Sequence, residues 1–360
     1  MKAFAYMAAA DVQSAVNAAA GLRATTASTN AGNAPTHAAT NIALPLAPVQ
    51  FLGGGTTLID LMKLGVMKPT HLVDISRLND PGLRSVTANP EGLRIGALAT
   101  MRQVADDPIV KRDYPVLSQS LWLAASQQIR NMAFVGGNVL QRTRCSYFRD
   151  TRWACNKREP GSGCSALEGM NRWNAVLGTS EQCIASYPGD WATALVALDA
   201  TVETVGASGP RSFRFADLHR LPGSTPHIET QLQPGELLTA FNVPAGPHTR
   251  RSLYLKVRDR ESYEFALASA AVALQMDSSN ASVVRQVRIG LGGPVAVPWR
   301  SREAEAMLIG KVLNEASATA AARVAFAGAR TREHNAFRVP LGQQTLVRAL
   351  LQAQTMEVAA

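Results

Sequence analysis

The chain has 360 residues, 46% hydrophobic and 18% charged, which is more than one core ordinarily holds and predicts two or three globular domains. Its 36 Lys and Arg against 27 Asp and Glu leave a formal charge of +9, but the basic residues are scattered, without a long run or an aromatic and basic repeat, so no nucleic-acid partner is expected. No apolar stretch reaches the roughly 18 residues that a membrane span requires, and residues 1–10 are followed at once by Asp11 and Gln13, which favours a strand and a helix over a signal peptide.

In chain order, residues 2–7 read as a strand and 11–22 as a helix. Residues 24–48, a run of Ala, Thr, Asn and Pro without hydrophobic period, read as an exposed loop. A short apolar strand at 49–52 ends at Gly53, and a helix is expected over 58–64. Alternating segments between 70 and 100 read as strands, with turns at 80–82 and 89–90. Helices are expected over 101–107 and 115–128, a strand over 172–177, and a helix over 190–198 with Asp190 as its N-cap. Strands and turns fill 201–245. The last third then offers three strands, 252–257, 266–275 and 284–290, and three helices, 301–310, 315–329 and 343–354. These elements predict an α+β domain over 1–247, divided into 1–68 and 69–247, and a smaller α+β domain over 248–360 built from a three-stranded sheet and helices.

Two glycine segments suggest an anion site. In the run Gly53, Gly54, Gly55, Thr56, Thr57, missing Cβ atoms let successive N–H groups converge, and two hydroxyls stand at the start of a helix. The run lacks the Gly-Lys-Ser/Thr ending of a nucleotide triphosphate loop and the spacing of the dinucleotide fingerprint. A second glycine turn, Phe134 to Asn138, follows the helix-like stretch ending at Arg130, and two such loops can grip one diphosphate from both sides.

All four cysteines, Cys145, Cys155, Cys164 and Cys183, fall in one polar, Gly- and Pro-containing window. Intervals of nine, eight and eighteen intervening residues depart from the paired spacing of structural zinc sites. Disulfides would need an oxidising compartment, and unrelated thiols remain a further reading. An iron–sulfur cluster takes four thiolates, tolerates wide spacing and leaves no cysteine over; it is the reading preferred. Arg130, Arg142, Arg144, Arg149, Arg152, Lys157, Arg158 and Arg172 crowd the same region, as a field around an anionic cluster or as a partner-facing surface. The six histidines show no ligand spacing, no nucleophile elbow occurs, and no carboxylate pair stands out for acid–base work.

The segments Gly-Gly-Gly-Thr-Thr at 53–57, Arg-Asn-Met-Ala-Phe-Val-Gly-Gly-Asn at 130–138, Asp190 with the following Trp-Ala-Thr-Ala-Leu, and Tyr-Leu-Lys-Val-Arg-Asp-Arg at 254–260 resemble the FAD-binding subunit of molybdenum hydroxylases, the xanthine dehydrogenase family. The run 141–183 is similar to the branch whose flavin subunit carries an extra [4Fe-4S] cluster, that of the periplasmic aldehyde oxidoreductases. The resemblance implies a vanillyl-alcohol-oxidase (PCMH) type FAD-binding domain followed by a C-terminal domain of the CO dehydrogenase flavoprotein type. It implies FAD held by Gln50, Phe51, Leu52, Gly53, Gly54, Gly55, Thr56, Thr57 and Leu58, by Phe134, Val135, Gly136, Gly137 and Asn138, and by Asp190 and Lys256. It implies a [4Fe-4S] cluster on Cys145, Cys155, Cys164 and Cys183 within a loop over 141–183. Phe134 stands where the family often has a small or hydroxylated residue. The implied partners are a molybdenum-cofactor large subunit, a [2Fe-2S] small subunit and an external electron acceptor, with no catalytic residue on this chain. The implied compartment is the periplasm, by co-export with a signal-bearing partner, or otherwise the cytoplasm.

Overall fold

The computed structural model describes residues 1–29 and 46–358. Its first sheet is parallel: β1 (Ala5–Ala8) and β2 (Val49–Leu52) flank β3 (His71–Asp74). Parallel strands need crossover connections and a covered face. Helix Val12–Thr29 covers this one, burying Ala15, Val16 and Ala19 against Val49 and Val73. A division after residue 68 would strip the sheet of its central strand, so the first unit closes only beyond Asp74. The same helix continues to Thr29, through residues expected as loop from 24 onward. A nucleated helix gains one hydrogen bond per added residue, so it can extend through Ala24, Thr25, Thr26, Ala27, Ser28 and Thr29 without an amphipathic period. The rest of that expected loop, 30–45, lies outside the described residues.

The second sheet is antiparallel, in the order β4 (Val86–Asn89), β5 (Gly92–Gly96), β8 (Leu237–Pro244), β6 (Thr201–Gly206), β7 (Gly209–Arg214). Between β5 and β6 the chain leaves the sheet to build several short helices and the whole cysteine loop. Leu117, Leu121 and Trp191 from those helices pack with Ile95, Val202 and Phe241 of the sheet. Residues 115–128 form two helices rather than one, Pro115–Trp122 and Gln127–Met132. Ala125 takes a φ of +50°, outside helical geometry, and Ser126 caps the second helix by accepting from the Ile129 N–H at 3.3 Å.

The third sheet contains the three expected strands, β9 (Ser252–Val257), β10 (Ala268–Met276) and β11 (Val284–Gly292), plus a two-residue edge strand, β12 (Trp299–Arg300), in the order β12, β11, β10, β9. Side chains alternate between its faces. Ala270, Val272 and Leu274 pack with the helices Glu315–Ala325 and Arg338–Gln354, while Ala271 and Ala273 join the core of the preceding domain. Helix Asp190–Ala197 approaches so closely that a Cβ at Gly290 would strike the Thr193 carbonyl.

Residues 172–177 form no strand. Val176 and Leu177 both donate to the Pro294 carbonyl, at 2.9 and 3.1 Å, and Leu177 makes only an isolated bridge with Val295. The Asn174 and Ala175 carbonyls are taken by the side chains of Arg338 and Asn335 instead. Among the described residues no helix is long and apolar enough to cross a membrane.

Candidate functional site

The two glycine segments meet in space. Gly54 lies directly on the Met132 carbonyl, where any Cβ would collide, and Gly53 faces the Phe134 ring. Gly55 holds a φ of +73°, a conformation open to glycine and costly for other residues, and it turns the chain from β2 into helix Leu58–Lys63. The second segment is not an open turn but a single helical turn, Val135–Val139. Val135 and Gly136 donate to the Ala99 and Ala97 carbonyls, at 3.0 and 2.8 Å, which pins the turn to the end of β5. Gly137 faces open space.

Between the segments lies a cavity of about 230 Å³ lined by Gln50, Phe51, Gly53, Gly54, Gly55, Thr56, Thr57 and Leu58 from the first and by Phe134, Gly136 and Gly137 from the second. Two expected residues point elsewhere. Leu52 packs against the Leu61 and Phe148 cluster, and Val135 is buried in the main core, so neither lines the cavity. A second cavity of about 220 Å³ shares Thr56, Thr57 and Gly137 and adds Asn138, Asp190 and Lys256. Every cofactor residue expected from the sequence except Leu52 and Val135 therefore lines one of two adjoining spaces.

Asp190 is not an N-cap. Gly189 holds that place and Asp190 is the first helical residue, its carboxylate paired with Lys256 Nζ at 2.8 Å, with side-chain exposures of 5% and 1%. Tyr254 Oη donates to the other carboxylate oxygen at 2.6 Å, and Lys256 also donates to the Leu123 carbonyl at 2.9 Å. Burial and the neighbouring Asp190 charge keep the Tyr254 phenol far above its usual range. The network locks β9 to helix Asp190–Ala197 of the preceding domain.

The cysteine loop docks on the helix that follows the first glycine segment. Phe148 and Cys155 pack with Leu61 and Met62, and Asp60 accepts from Arg149 at 2.8 and 3.1 Å and from Arg144 at 3.3 Å. Cys155 and Cys164 face each other across a short hairpin, closed by the Asn156 N–H on the Gly163 carbonyl at 2.7 Å and the Gly163 N–H on Asn156 Oδ1 at 2.8 Å. Cys145 precedes the turn Ser146–Arg149, and Cys183 ends a bridge with Ser180. All four thiols are free. Burial pushes the Cys155 and Cys164 thiols up and takes Cys183 to about 12; Cys145 adds to the rise at Cys155 and Cys183, and Cys155 adds to that at Cys164. The four sulfurs are thus electrostatic neighbours. Among the described residues no three His, Cys, Asp or Glu side chains converge on a single-ion site.

A buried ionic trio joins the loop to the first cavity. Glu229 accepts from Arg142 Nε at 2.7 Å and from Lys157 Nζ at 2.9 Å. Burial alone would raise the Glu229 carboxyl, but the two cations outweigh it and hold it at about 2. Burial likewise pulls Lys157 down, and Glu229 reverses the direction. His219, which bonds the Val139 carbonyl at 2.9 Å through Nε2, is depressed by burial to about 4 and stays neutral. None of Glu229, His219 and Tyr254 was singled out in the sequence; Glu229 lies 87 residues from Arg142, and no local pattern marks it.

Residues 35–246 match the family described as FAD binding domain in molybdopterin dehydrogenase, and residues 253–353 match the CO dehydrogenase flavoprotein C-terminal domain. The chain is an FAD-binding subunit of the xanthine dehydrogenase family of molybdenum hydroxylases. Among relatives of this family, it is 46% identical over 323 residues to the aldehyde oxidoreductase FAD-binding subunit PaoB of Escherichia coli K12, covering 89% of this chain and 96% of that one. It is 28% identical to the glyceraldehyde dehydrogenase medium chain of Sulfolobus acidocaldarius, over 73% of this chain and 74% of the relative. It is 27% identical to the carbon monoxide dehydrogenase medium chain of Afipia carboxidovorans, over 85% and 87%. The fold matches a chain of quinoline 2-oxidoreductase from Pseudomonas putida 86 with a TM-score of 0.70 at 22% identity, covering 98% of each chain. A chain of reconstituted CO dehydrogenase from Oligotropha carboxidovorans matches with a TM-score of 0.71 at 21% identity, covering 99% of each.

The residues present suit the flavin nucleotide that the family implies. Glycines remove side chains where a diphosphate must approach backbone, Thr56 and Thr57 supply hydroxyls, and the Asn138 Oδ1 atom is buried without a partner on the wall of the second cavity.

Proposed function

We propose that this chain is the electron-transferring subunit of a heterotrimeric molybdenum-dependent aldehyde oxidoreductase and holds one FAD and one [4Fe-4S] cluster. A single observation carries the reading: the four-cysteine loop, which four thiolates of a cluster would occupy, docks through Asp60, Leu61 and Met62 on the same helix that leaves the glycine cradle. FAD bound here supplies the conversion between two-electron and one-electron transfer, and the chemistry is the cofactor's own.

The chain's residues bind and position. Gly53 to Thr57 and Gly136 to Gly137 offer the backbone a diphosphate needs, and Asn138 offers an amide. The Asp190 and Lys256 pair stiffens the seam between the two domains beside the second cavity. Cys145, Cys155, Cys164 and Cys183 are the ligands of the cluster; burial disfavours the thiolates of Cys155, Cys164 and Cys183 unless a cation compensates, which metal supplies. The partners in this reading are a large subunit with the molybdenum cofactor and a small [2Fe-2S] subunit, and an external acceptor receives the electrons. An aldehyde substrate is supported by the name of the 46% identical relative, an aldehyde oxidoreductase subunit.

The test is anaerobic aldehyde addition to the chain alone and to the complex that copurifies with it. Flavin bleaching in the complex and none in the isolated chain is expected. Bleaching in the isolated chain would replace this reading with that of a self-sufficient flavin oxidase.

A further inference from the structure

Arg142 is a buried cation that the protein leaves partly unsatisfied. Its side chain is 5% exposed, its Nε is fixed by Glu229 at 2.7 Å, and its guanidinium lies 4.4 Å from the centre of the Phe148 ring. Nη2 reaches only the Lys157 carbonyl, at 3.4 Å, and Nη1 is buried with no acceptor. Arg142 lines the first cavity together with both glycine segments. Lys157 takes the second oxygen of Glu229 at 2.9 Å, so the trio holds two positive charges against one negative. A buried surplus of positive charge is costly unless an anion meets it, and a guanidinium with a free N–H edge is the side chain best shaped for phosphate oxygen. The nearer side chain of the second segment, Phe134, offers no hydroxyl to an anion. Thr230 Oγ1 and His219 Nδ1, also buried and unpartnered, line the same cavity.

We propose that Arg142 donates through Nη1 to the diphosphate of FAD, as a counter-cation beside the backbone and hydroxyl groups of the two glycine segments. Glu229 is the positioning residue that holds the guanidinium by its Nε, and Lys157 keeps Glu229 from turning away. The inference rests on the reading that this cavity takes the nucleotide of FAD. It also gives a role to the convergence of an arginine and a lysine of the cysteine loop on Glu229.

The experiment is FAD release from full-length Arg142→Gln and wild-type protein, followed by flavin fluorescence on dilution, with ADP and AMP as competitors for rebinding and with iron content measured in parallel. The expected result is FAD affinity weakened about 10- to 100-fold, as loss of a charge-assisted hydrogen bond gives, a collapse of the preference for ADP over AMP, and unchanged iron. Unchanged FAD affinity overturns the proposal, and so does an equal loss for ADP and AMP, which would mark Arg142 as structural only. If Arg142→Gln does not fold, Arg142→Lys keeps the charge without the second N–H prong. It should still weaken FAD several-fold and lower the ADP preference, and wild-type behaviour there also overturns the proposal. Failure of the wild-type chain to bind either FAD or ADP would instead sink the assignment of the cavity.

Discussion

Replacing Lys256 by Met leaves the Asp190 carboxylate buried with one remaining side-chain donor. The pair stands at 2.8 Å with side chains 5% and 1% exposed, so solvent neither screens it now nor rescues the carboxylate afterwards. Removing one partner of such a pair costs about 3–5 kcal/mol, more than 100-fold in the folding equilibrium. Two details bound the figure. Tyr254 Oη still donates to Asp190 at 2.6 Å, and the Leu123 carbonyl keeps a 3.3 Å bond from Arg258, so the lost charge pair, and no orphaned carbonyl, accounts for the cost. Adding Asp190→Asn removes the stranded charge and should recover at least half of the loss. Urea unfolding followed by tryptophan fluorescence and circular dichroism, with coincident transitions and an unchanged m value, measures both. A Lys256→Met loss below about 1 kcal/mol, or a double variant less stable than the single one, would refute the claim that this pair holds the domain seam.

Gly54→Ala drives a methyl group into the Met132 carbonyl and should cost both stability and bound flavin. Gly137→Ala meets nothing of the protein, so it should fold normally while its methyl group enters the cavity and lowers flavin content; equal behaviour of the two variants in thermal melts and flavin titration would contradict the geometry. The folded state holds His219 neutral, with a pKa near 4 against an ordinary 6.5, so unfolded chains bind the extra proton and the contribution, complete above pH 6.5, is lost as pH falls from 6.5 to 4. Glu229, held near 2 against an ordinary 4.5, contributes above pH 4.5 and loses that stability between 4.5 and 2. His219→Gln should flatten the melting temperature between pH 6.5 and 4 relative to wild type, and an unchanged profile would remove His219 from the account. Cys155→Ser should lose the broad iron–sulfur absorbance and keep its flavin, because Cys155 itself lines neither cavity; retained iron would show that Cys155 is not a ligand.

Much of this architecture is local and therefore readable in sequence. Gly53 to Thr57 and the apolar run of β10 announce themselves within a few residues, and so does the confinement of all four cysteines to one window. What escapes depends on partners far along the chain. Asp190 has the sequence position of a helix cap, and only the arrival of β9 turns it into the partner of Lys256. Arg142 and Lys157 read as two more members of a basic patch until Glu229 reaches them from the loop before β8. The break in the 115–128 helix lies in the backbone of Ala125, a residue with no intrinsic reason to leave the helix. Leu52 and Val135 stand inside the two motifs, but their side chains are taken up by the cluster around Leu61 and Phe148 and by the main core. The Ala- and Thr-containing run after residue 22 lacks the period that signals a packed helix, yet helix continues to Thr29.

The central claim is that one chain brings a flavin cradle and a four-thiolate cluster site together on a single helix. Iron, acid-labile sulfide, zinc and flavin counted on the anaerobically purified full chain test it most directly. The account predicts about four irons with matching sulfide, together with one FAD per chain. Zinc without sulfide, or flavin with neither iron nor sulfide, would contradict it.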